Sequence, residues 1–173
     1  MSRKLLLDTN VLLDVAMDER AGWAAATLLV DEFAYGQSIG YVSALSLKDV
    51  YYILCKYADE SSARAYILAV MDLFEVIPVD MGLCRIAAQS DEPDFEDGLI
   101  RACAEHASVD YIISRDESAF AKSSIKRLSP RQYLDEFCEV EDVELAENDG
   151  LQKTTRPSNP QTAGWRSSAR RCR

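Results

Sequence analysis

The sequence has very little of what builds a zinc site. Its 173 residues include a single histidine, His106, and five cysteines without a C-x-x-C pair. Zinc ligands come in such closely spaced pairs, so no zinc site is expected. Cys55 and Cys103 fall within apolar helical stretches, and we expect all five cysteines to be buried or free thiols in a reducing cytosol. His106 lies late in a helix with one apolar face, where a structural or surface role is expected.

A long apolar run near the N-terminus is also missing. Arg3 and Lys4 precede only three leucines before Asp8 interrupts the run. A secretion signal needs an apolar stretch of roughly 7 to 15 residues and a membrane span needs about 20, so neither fits. The sequence therefore predicts a cytoplasmic protein that has no membrane partner.

Aliphatic residues are scarce at the C-terminal end. Residues 141–149 carry five acidic side chains and no basic one, and residues 150–173 carry six basic side chains and no acidic one. Such a segment buries too little apolar surface to offset the entropy lost on ordering. We expect a folded domain over residues 1–138 and a disordered tail over 139–173 that is first acidic and then basic.

Acidic side chains outnumber basic ones in the rest of the chain, and the formal net charge of the whole is −10. A body this acidic is expected to bind nucleic acid weakly unless metal ions offset part of its charge. The acidic domain is also suited to binding a very basic partner protein.

Apolar periodicity predicts strands and helices in alternation along the chain. Short apolar runs indicate strands, and longer stretches with helical spacing indicate helices. This alternation is typical of an α/β domain with a mainly parallel central sheet, here of four to five strands. The predicted strands are 4–8, 39–43, 75–79, 110–114 and 125–128, and the predicted helices are 10–17, 21–36, 45–57, 60–74, 80–90, 95–107 and 130–138.

Four aspartates stand where an apolar run gives way to a helical pattern, namely Asp8, Asp49, Asp97 and Asp116. The carboxyl ends of parallel strands share one edge of a sheet, so residues at successive strand-to-helix turns converge there. Carboxylates gathered in one pocket repel each other and stay ionised most readily around a divalent cation. Oxygen donors without histidine or thiolate favour Mg²⁺ or Mn²⁺ over zinc. The pattern therefore predicts a magnesium or manganese site.

Each acid also has a local alternative role. Asp94 with Asp97 has the spacing of a helix N-cap, as does Ser46 with Asp49, and Asp116 could cap its own helix. Taken singly, capping is the expected role for these residues. Asp8, however, closes a strand and has no helix amide that it must satisfy. Caps alone do not predict an acid at every one of these turns, so the group favours a shared site.

Four segments carry a resemblance to a known family. They are DTNVLLD at 8–14, VSALSLKDVYYIL at 42–54, DFEDGLIRACA at 94–104 and IISRDESAF at 112–120. In order and spacing they resemble the motifs of PIN-domain ribonucleases, especially the VapC-like toxins of bacterial toxin–antitoxin pairs. The resemblance covers roughly residues 3 to 138, a usual length for one domain. It implies a three-layer α/β/α PIN-like domain, a Mg²⁺- or Mn²⁺-dependent endoribonuclease activity on RNA, a cognate antitoxin protein and a homodimer.

The resemblance also implies roles for single residues. Asp49 stands where the family usually has glutamate, and the shorter side chain reaches the metal only if the helix lies closer or a water bridges the gap. Activity could therefore be reduced. The implied catalytic and metal-binding residues are Asp8, Asp49, Asp97 and Asp116, with Asn10, Asp94 and Ser114 in supporting positions.

Two weaker features concern contact with RNA. A basic cluster follows the fourth acid and is a candidate for gripping the RNA backbone, although an ordinary solvated face is as common. Tyr51, Tyr52 and Tyr57 could stack on unpaired bases, but their spacing along a helix favours core packing. The basic cluster consists of Lys122, Lys126, Arg127 and Arg131.

Two alternative functions remain open. A haloacid-dehalogenase-type phosphatase also begins with an aspartate after its first strand, but it needs a second aspartate two residues on as general acid. This chain has Asn10 there, and asparagine cannot donate that proton. The other alternative is a PIN-like module that binds RNA or protein without cutting, which the substitution at Asp49 makes credible.

Overall fold

The computed structural model of the protein describes residues 2–138, in which strands and helices alternate. In chain order they are β1 Arg3–Leu7, α1 Thr9–Ala16, α2 Trp23–Ala34, β2 Ser38–Ser43, α3 Ala44–Tyr57, α4 Glu60–Leu73, β3 Glu75–Ile77, α5 Met81–Ala88, α6 Phe95–Ala107, β4 Tyr111–Ile113, β5 Lys126–Leu128 and α7 Pro130–Phe137. Each predicted strand and helix is present, with ends that differ from the prediction by a few residues. The predicted tail 139–173 lies outside the described residues.

The five strands form one sheet in the order β3-β2-β1-β4-β5, and all neighbouring strands run parallel. The expectation of a mainly parallel sheet is thus confirmed. β1 occupies the centre, with Leu5 opposite Gly40 of β2 and Tyr111 of β4. A central parallel strand is covered on both faces, which explains why three consecutive leucines suit this position. Because β1, β2 and β4 are parallel, their carboxyl ends lie at one edge of the sheet.

Helices cover both faces of the sheet, which gives the expected three layers. Leu5 and Leu7 of β1 point into one core with residues of α1, α2, α3, α4 and α7. Leu6, between them, points into a second core with residues of α5 and α6. The alternation follows from the two-residue period of a strand. None of the helices among residues 2–138 is long and apolar enough to cross a membrane.

Two expectations about side chains are wrong. Tyr52 and Tyr57 are 56% and 74% exposed, so they lie outside the core that their spacing suggested. They fall on the outer face of α3, whose inner face is formed by Leu47, Val50 and Leu54. Cys138 is disulfide-bonded, whereas Cys55, Cys84 and Cys103 are free thiols as expected.

Gly40 marks a close contact between β2 and two aromatic rings. A Cβ atom at this position would come 2.6 Å from Cε1 of Phe74 and 3.0 Å from Cδ1 of Phe33. The two rings pack edge to face, with centroids 5.0 Å apart, and both are buried. Neither ring can move without disturbing the core, so the strand needs glycine here.

We predict that Gly40→Ala lowers the free energy of unfolding by about 1–3 kcal/mol, the usual cost of overpacking a filled core. Urea denaturation of the purified protein measures this difference. Gly82→Ala is the matched control, because a Cβ there would meet only the exposed Asp80 side chain, and it should not lower the stability. Equal stabilities of the two variants would contradict the packing described here.

Candidate active site

Asp8 follows the last residue of β1 at the carboxyl edge of the sheet. Its amide donates to the carbonyl of Ile113 at 3.0 Å, which ties the end of β1 to the end of β4. Its side chain is only 4% exposed, and the Ser114 hydroxyl donates to its Oδ2 at 2.8 Å. Burial raises the pKa of Asp8, while hydrogen bonds from Ser114, Thr9 and Asn10 lower it in part. The carboxylate is therefore held in a fixed position at some electrostatic cost.

Asp116 lies two residues beyond Ser114, and the same serine hydroxyl accepts from the Asp116 amide at 3.1 Å. One serine thus links the first and the fourth predicted acids. Asp116 Oδ1 accepts hydrogen bonds from the amide and hydroxyl of Ser118, at 2.8 and 2.6 Å, and these bonds lower the pKa of Asp116. The local role expected for Asp116 is present, as the cap of a turn, alongside its position beside Asp8.

Asp97 comes to the same edge from the first turn of α6. Asp94 is the N-cap of this helix, and its Oδ1 accepts from the Asp97 amide at 2.9 Å. The pKa of Asp97 is raised to about 7, first by burial and then by the negative charges of Asp94, Asp8 and Asp116. Repulsion of this kind requires proximity. Asp8, Asp97 and Asp116, far apart in the sequence, thus share one electrostatic environment.

Asp49, the remaining predicted acid, has a basic partner outside this group. It is half-buried on α3, where Lys48 Nζ is 2.6 Å from its Oδ1. Its charge acts on Glu96, whose pKa is raised by burial and then by Asp49, Asp8 and Asp94, against a hydrogen bond with Thr9 that lowers it. The pKa of Glu96 therefore responds to the charges of both Asp49 and Asp8. Sequence reasoning missed Glu96, although it directly precedes Asp97 in the DFED segment.

Asn10, which the resemblance implied as a supporting residue, lies in the first turn of α1. Its side chain hydrogen-bonds to Asp8 and lowers the pKa of that carboxyl. Asn10 is exposed, so it borders the site from the solvent side. Asn10 and Ser114 therefore both favour the ionised form of Asp8.

The predicted basic cluster is divided by its local partners. Arg127 is part of the site, since its Nη1 donates to the Ser114 carbonyl at 3.0 Å and its charge lowers the pKa of Asp116. The other three residues pair with carboxylates that lie outside the group of acids. Lys122 pairs with Asp91, Lys126 with Glu136 and Arg131 with Asp135.

The donor set of this edge suits a divalent cation in its chemistry. The donors are carboxylate oxygens, and their mutual repulsion is the kind that Mg²⁺ or Mn²⁺ relieves. Within residues 2–138, however, no three histidine, cysteine, aspartate or glutamate side chains stand together as a finished coordination group. Asp116 Oδ1 is engaged by Ser118, and Asp49 is engaged by Lys48. Side-chain rotation would be needed to complete a site.

Solved structures share this fold at low sequence identity. FitAcB from Neisseria gonorrhoeae matches with a TM-score of 0.58 and 20% identity, over 73% of this chain and 98% of its own. VapC20 of Mycobacterium tuberculosis, a toxin that cleaves the sarcin–ricin loop, matches with a TM-score of 0.56 and 16% identity, over 70% of this chain and 95% of its own. A toxin–antitoxin complex from Klebsiella pneumoniae matches with a TM-score of 0.57 and 20% identity, over 73% and 97%. These likenesses show the fold alone.

The sequence comparison goes further than the fold. No curated protein matches the sequence, but the model of the PIN-domain family matches residues 4–118. This match spans more than half of the chain and includes Asp8, Asp49, Asp97 and Asp116. The chain therefore belongs to the PIN-domain family.

Proposed function

We propose that this protein is a metal-dependent endoribonuclease and the toxin of a toxin–antitoxin pair. The observation that carries the proposal is the convergence of Asp8, Asp97 and Asp116 at the carboxyl edge of a PIN-domain sheet, with Ser114 bonded to two of them. Burial first, and then the neighbouring negative charges, raise the pKa of Asp97 and Asp8. A bound cation would offset this unfavourable concentration of charge.

In this proposal Asp8, Asp97 and Asp116 hold one Mg²⁺ or Mn²⁺ ion, and Asp49 completes the site or helps to hold a second ion. When bound, the metal lowers the pKa of a water ligand and offsets charge on the phosphate that is attacked. Hydrolysis would leave a 5′-phosphate and a 3′-hydroxyl.

The residues of the chain itself orient this chemistry. Ser114 keeps Asp8 turned toward the edge, because its hydroxyl donates to Asp8 Oδ2 and accepts from the Asp116 amide. A hydrogen bond from Asn10 also favours the ionised form of Asp8. Asp97, with a pKa near neutrality in the metal-free protein, exchanges its proton readily when a ligand arrives.

The proposed partners are RNA as substrate, a small antitoxin that covers the active edge, and a second copy of the chain, all in the cytoplasm. A homodimer formed through the early helices is supported by Tyr52, Tyr57 and Leu68 on α3 and α4, which are each more than half exposed. Exposed apolar side chains close together in sequence often mark a protein contact. A cognate antitoxin is supported by the similarity to structures of toxin–antitoxin complexes.

A PIN-like module that binds RNA or protein without cutting is a second candidate. Asp49 in place of glutamate favours it, as does its ion pair with Lys48. The phosphatase alternative has lost its basis, since the chain belongs to the PIN-domain family. Titration with Mn²⁺ separates the two remaining candidates, because only a working metal site raises the melting temperature at low millimolar Mn²⁺.

We predict that Asp8→Asn lowers Mg²⁺-dependent cleavage of single-stranded RNA by at least about 100-fold, in the range typical of losing one essential electrostatic group. The substitution keeps the shape of the side chain and its bond to Ser114 but removes the charge. Cleavage of a labelled RNA, resolved on a denaturing gel with and without EDTA, measures the loss.

Asp110→Asn is the matched control for this variant. Asp110 precedes β4 at the opposite edge of the sheet, where its Oδ2 accepts from the Lys4 amide at 2.8 Å. It should retain the activity of the wild type. If Asp8→Asn folds and cuts RNA as fast as Asp110→Asn, Asp8 has no part in the reaction.

We predict that the metal-free protein becomes less stable as the pH rises from about 4 to 7, in part through Asp97. The folded state keeps the Asp97 proton up to a pKa of about 7, whereas the ordinary value is 3.8. The folded state thus binds more protons than the unfolded chain in this window, and stability falls with rising pH. Urea denaturation in EDTA at several pH values should show a flatter decline for Asp97→Asn. Parallel curves for the two proteins would contradict the raised pKa.

A further inference from the structure

Two arginines share one buried carboxylate beside the candidate active site. Asp14 of α1 has a fully buried side chain, with 0% exposure. Arg20 Nε lies 2.6 Å from its Oδ1, and Arg115 Nε lies 2.6 Å from its Oδ2. The second contact is an ion pair rather than an aligned hydrogen bond, because Oδ2 has no hydrogen-bond partner of good geometry. Both arginines remain partly open to solvent, at 29% and 37%.

The chain is shaped to allow this arrangement. A Cβ atom at Gly22 would collide with the Asp14 carboxylate and come 3.1 Å from Cδ of Arg115. Glycine therefore lets the segment that carries Arg20 pass directly over Asp14. Arg115, which pairs with Asp14, lies between Ser114 and Asp116 in the sequence. The arginine is therefore a direct chain neighbour of two residues of the candidate active site.

The charge of this trio differs from that of three members of the predicted basic cluster. Lys122, Lys126 and Arg131 are each paired with at least one exposed acid, and Arg127 donates to the Ser114 carbonyl. Arg20 and Arg115 instead share a single carboxylate, which leaves an excess of one positive charge. Each arginine contacts Asp14 through its Nε atom. Within residues 2–138 their terminal Nη groups donate no hydrogen bond. Those groups are fixed in direction and able to donate.

We propose that Arg20 and Arg115 bind the phosphate backbone of RNA beside the active edge, and that Asp14 is the positioning residue for both. A guanidinium with a free Nη edge matches the geometry of a phosphate. Salt screens the repulsion between an anionic substrate and the distant acidic side chains beyond about 10 Å at 0.1 M salt. A positive charge held close to the substrate can therefore bind it even though the domain is acidic. The proposal names the substrate-binding residues of the proposed ribonuclease and rests on that function.

The test measures binding of a short fluorescein-labelled single-stranded RNA by anisotropy at increasing KCl, in the Asp8→Asn background so that the RNA stays intact. Arg20→Gln and Arg115→Gln should each weaken binding several-fold. Each should also reduce the slope of log Kd against log salt by about 0.7, the value for one phosphate contact on a single strand. Arg115→Lys keeps the charge and should keep most of the slope.

Arg64→Gln is the matched control. Arg64 is an exposed arginine that pairs with Glu60 on α4, away from the acids, and its loss should leave affinity and slope unchanged. If the two glutamine variants melt at a lower temperature but bind RNA with the wild-type slope, the trio only fastens α1 to its neighbours and the proposal is overturned.

A measurement on the Asp8→Asn protein with all its arginines in place covers the case in which an arginine variant does not fold. Modification of arginines by phenylglyoxal, located by mass spectrometry, should be slowed by RNA at Arg20 and Arg115 and not at Arg64. Equal modification with and without RNA would overturn the proposal.

The outcomes also separate this proposal from the proposed function. RNA cleavage by the wild type together with arginine variants that bind normally rejects the arginine pair and keeps the nuclease. Arginine-dependent binding of RNA without any cleavage keeps the pair and rejects the nuclease. A wild type that neither binds nor cuts RNA rejects both.

Discussion

Repulsion between like charges is the constraint on which the carboxyl edge of this sheet depends. β1 and β4 are neighbours in the centre of the sheet, paired from Leu5 with Tyr111 to Leu7 with Ile113, so the residues that follow them cannot separate without breaking the pairing. Asp97 is brought to the same place by α6. Burial first, and the neighbouring negative charges in addition, raise the pKa values of Asp8 and Asp97. Hydrogen bonds from Ser114 and Ser118 offset part of the electrostatic cost, and a divalent cation would offset much of the rest.

The sequence was sufficient for the elements and for much of the site, for physical reasons that can be named. Strands and helices were predictable because the apolar period changes from two to 3.6 residues at each turn. The meeting of Asp8 with Asp116 was predictable because parallel strands fix where their ends lie, whereas Asp97 is brought to the same edge by the first turn of α6. The direction of the Asp49 side chain was not predictable from the sequence, because packing decides how α3 is rotated about its own axis. Asp49 pairs with Lys48, and the charges of both Asp49 and Asp8 raise the pKa of Glu96.

Pairings between distant charges were the other feature that the sequence could not supply. Lys122, Lys126 and Arg131 form a basic cluster in sequence, yet their partners Asp91, Glu136 and Asp135 reduce their net field. Arg20 and Arg115 are far apart in sequence and meet only because α1 carries Asp14 between them. The aromatic spacing of α3 likewise indicated burial, but the helix turns Tyr52 and Tyr57 outward. In each case the partner or the burial of a side chain depends on tertiary contacts that the local sequence pattern does not specify.

The two outermost strands of the sheet are three residues long, Glu75–Ile77 and Lys126–Leu128. Each begins with an exposed charged residue, and Lys126 is held across the edge by Glu136 of α7. Short, charged margins offer a foreign strand few free backbone groups in register, which is how natural sheets resist uncontrolled growth. Association by addition of strands is thereby disfavoured, which leaves the helical surfaces as the better place for contacts between proteins.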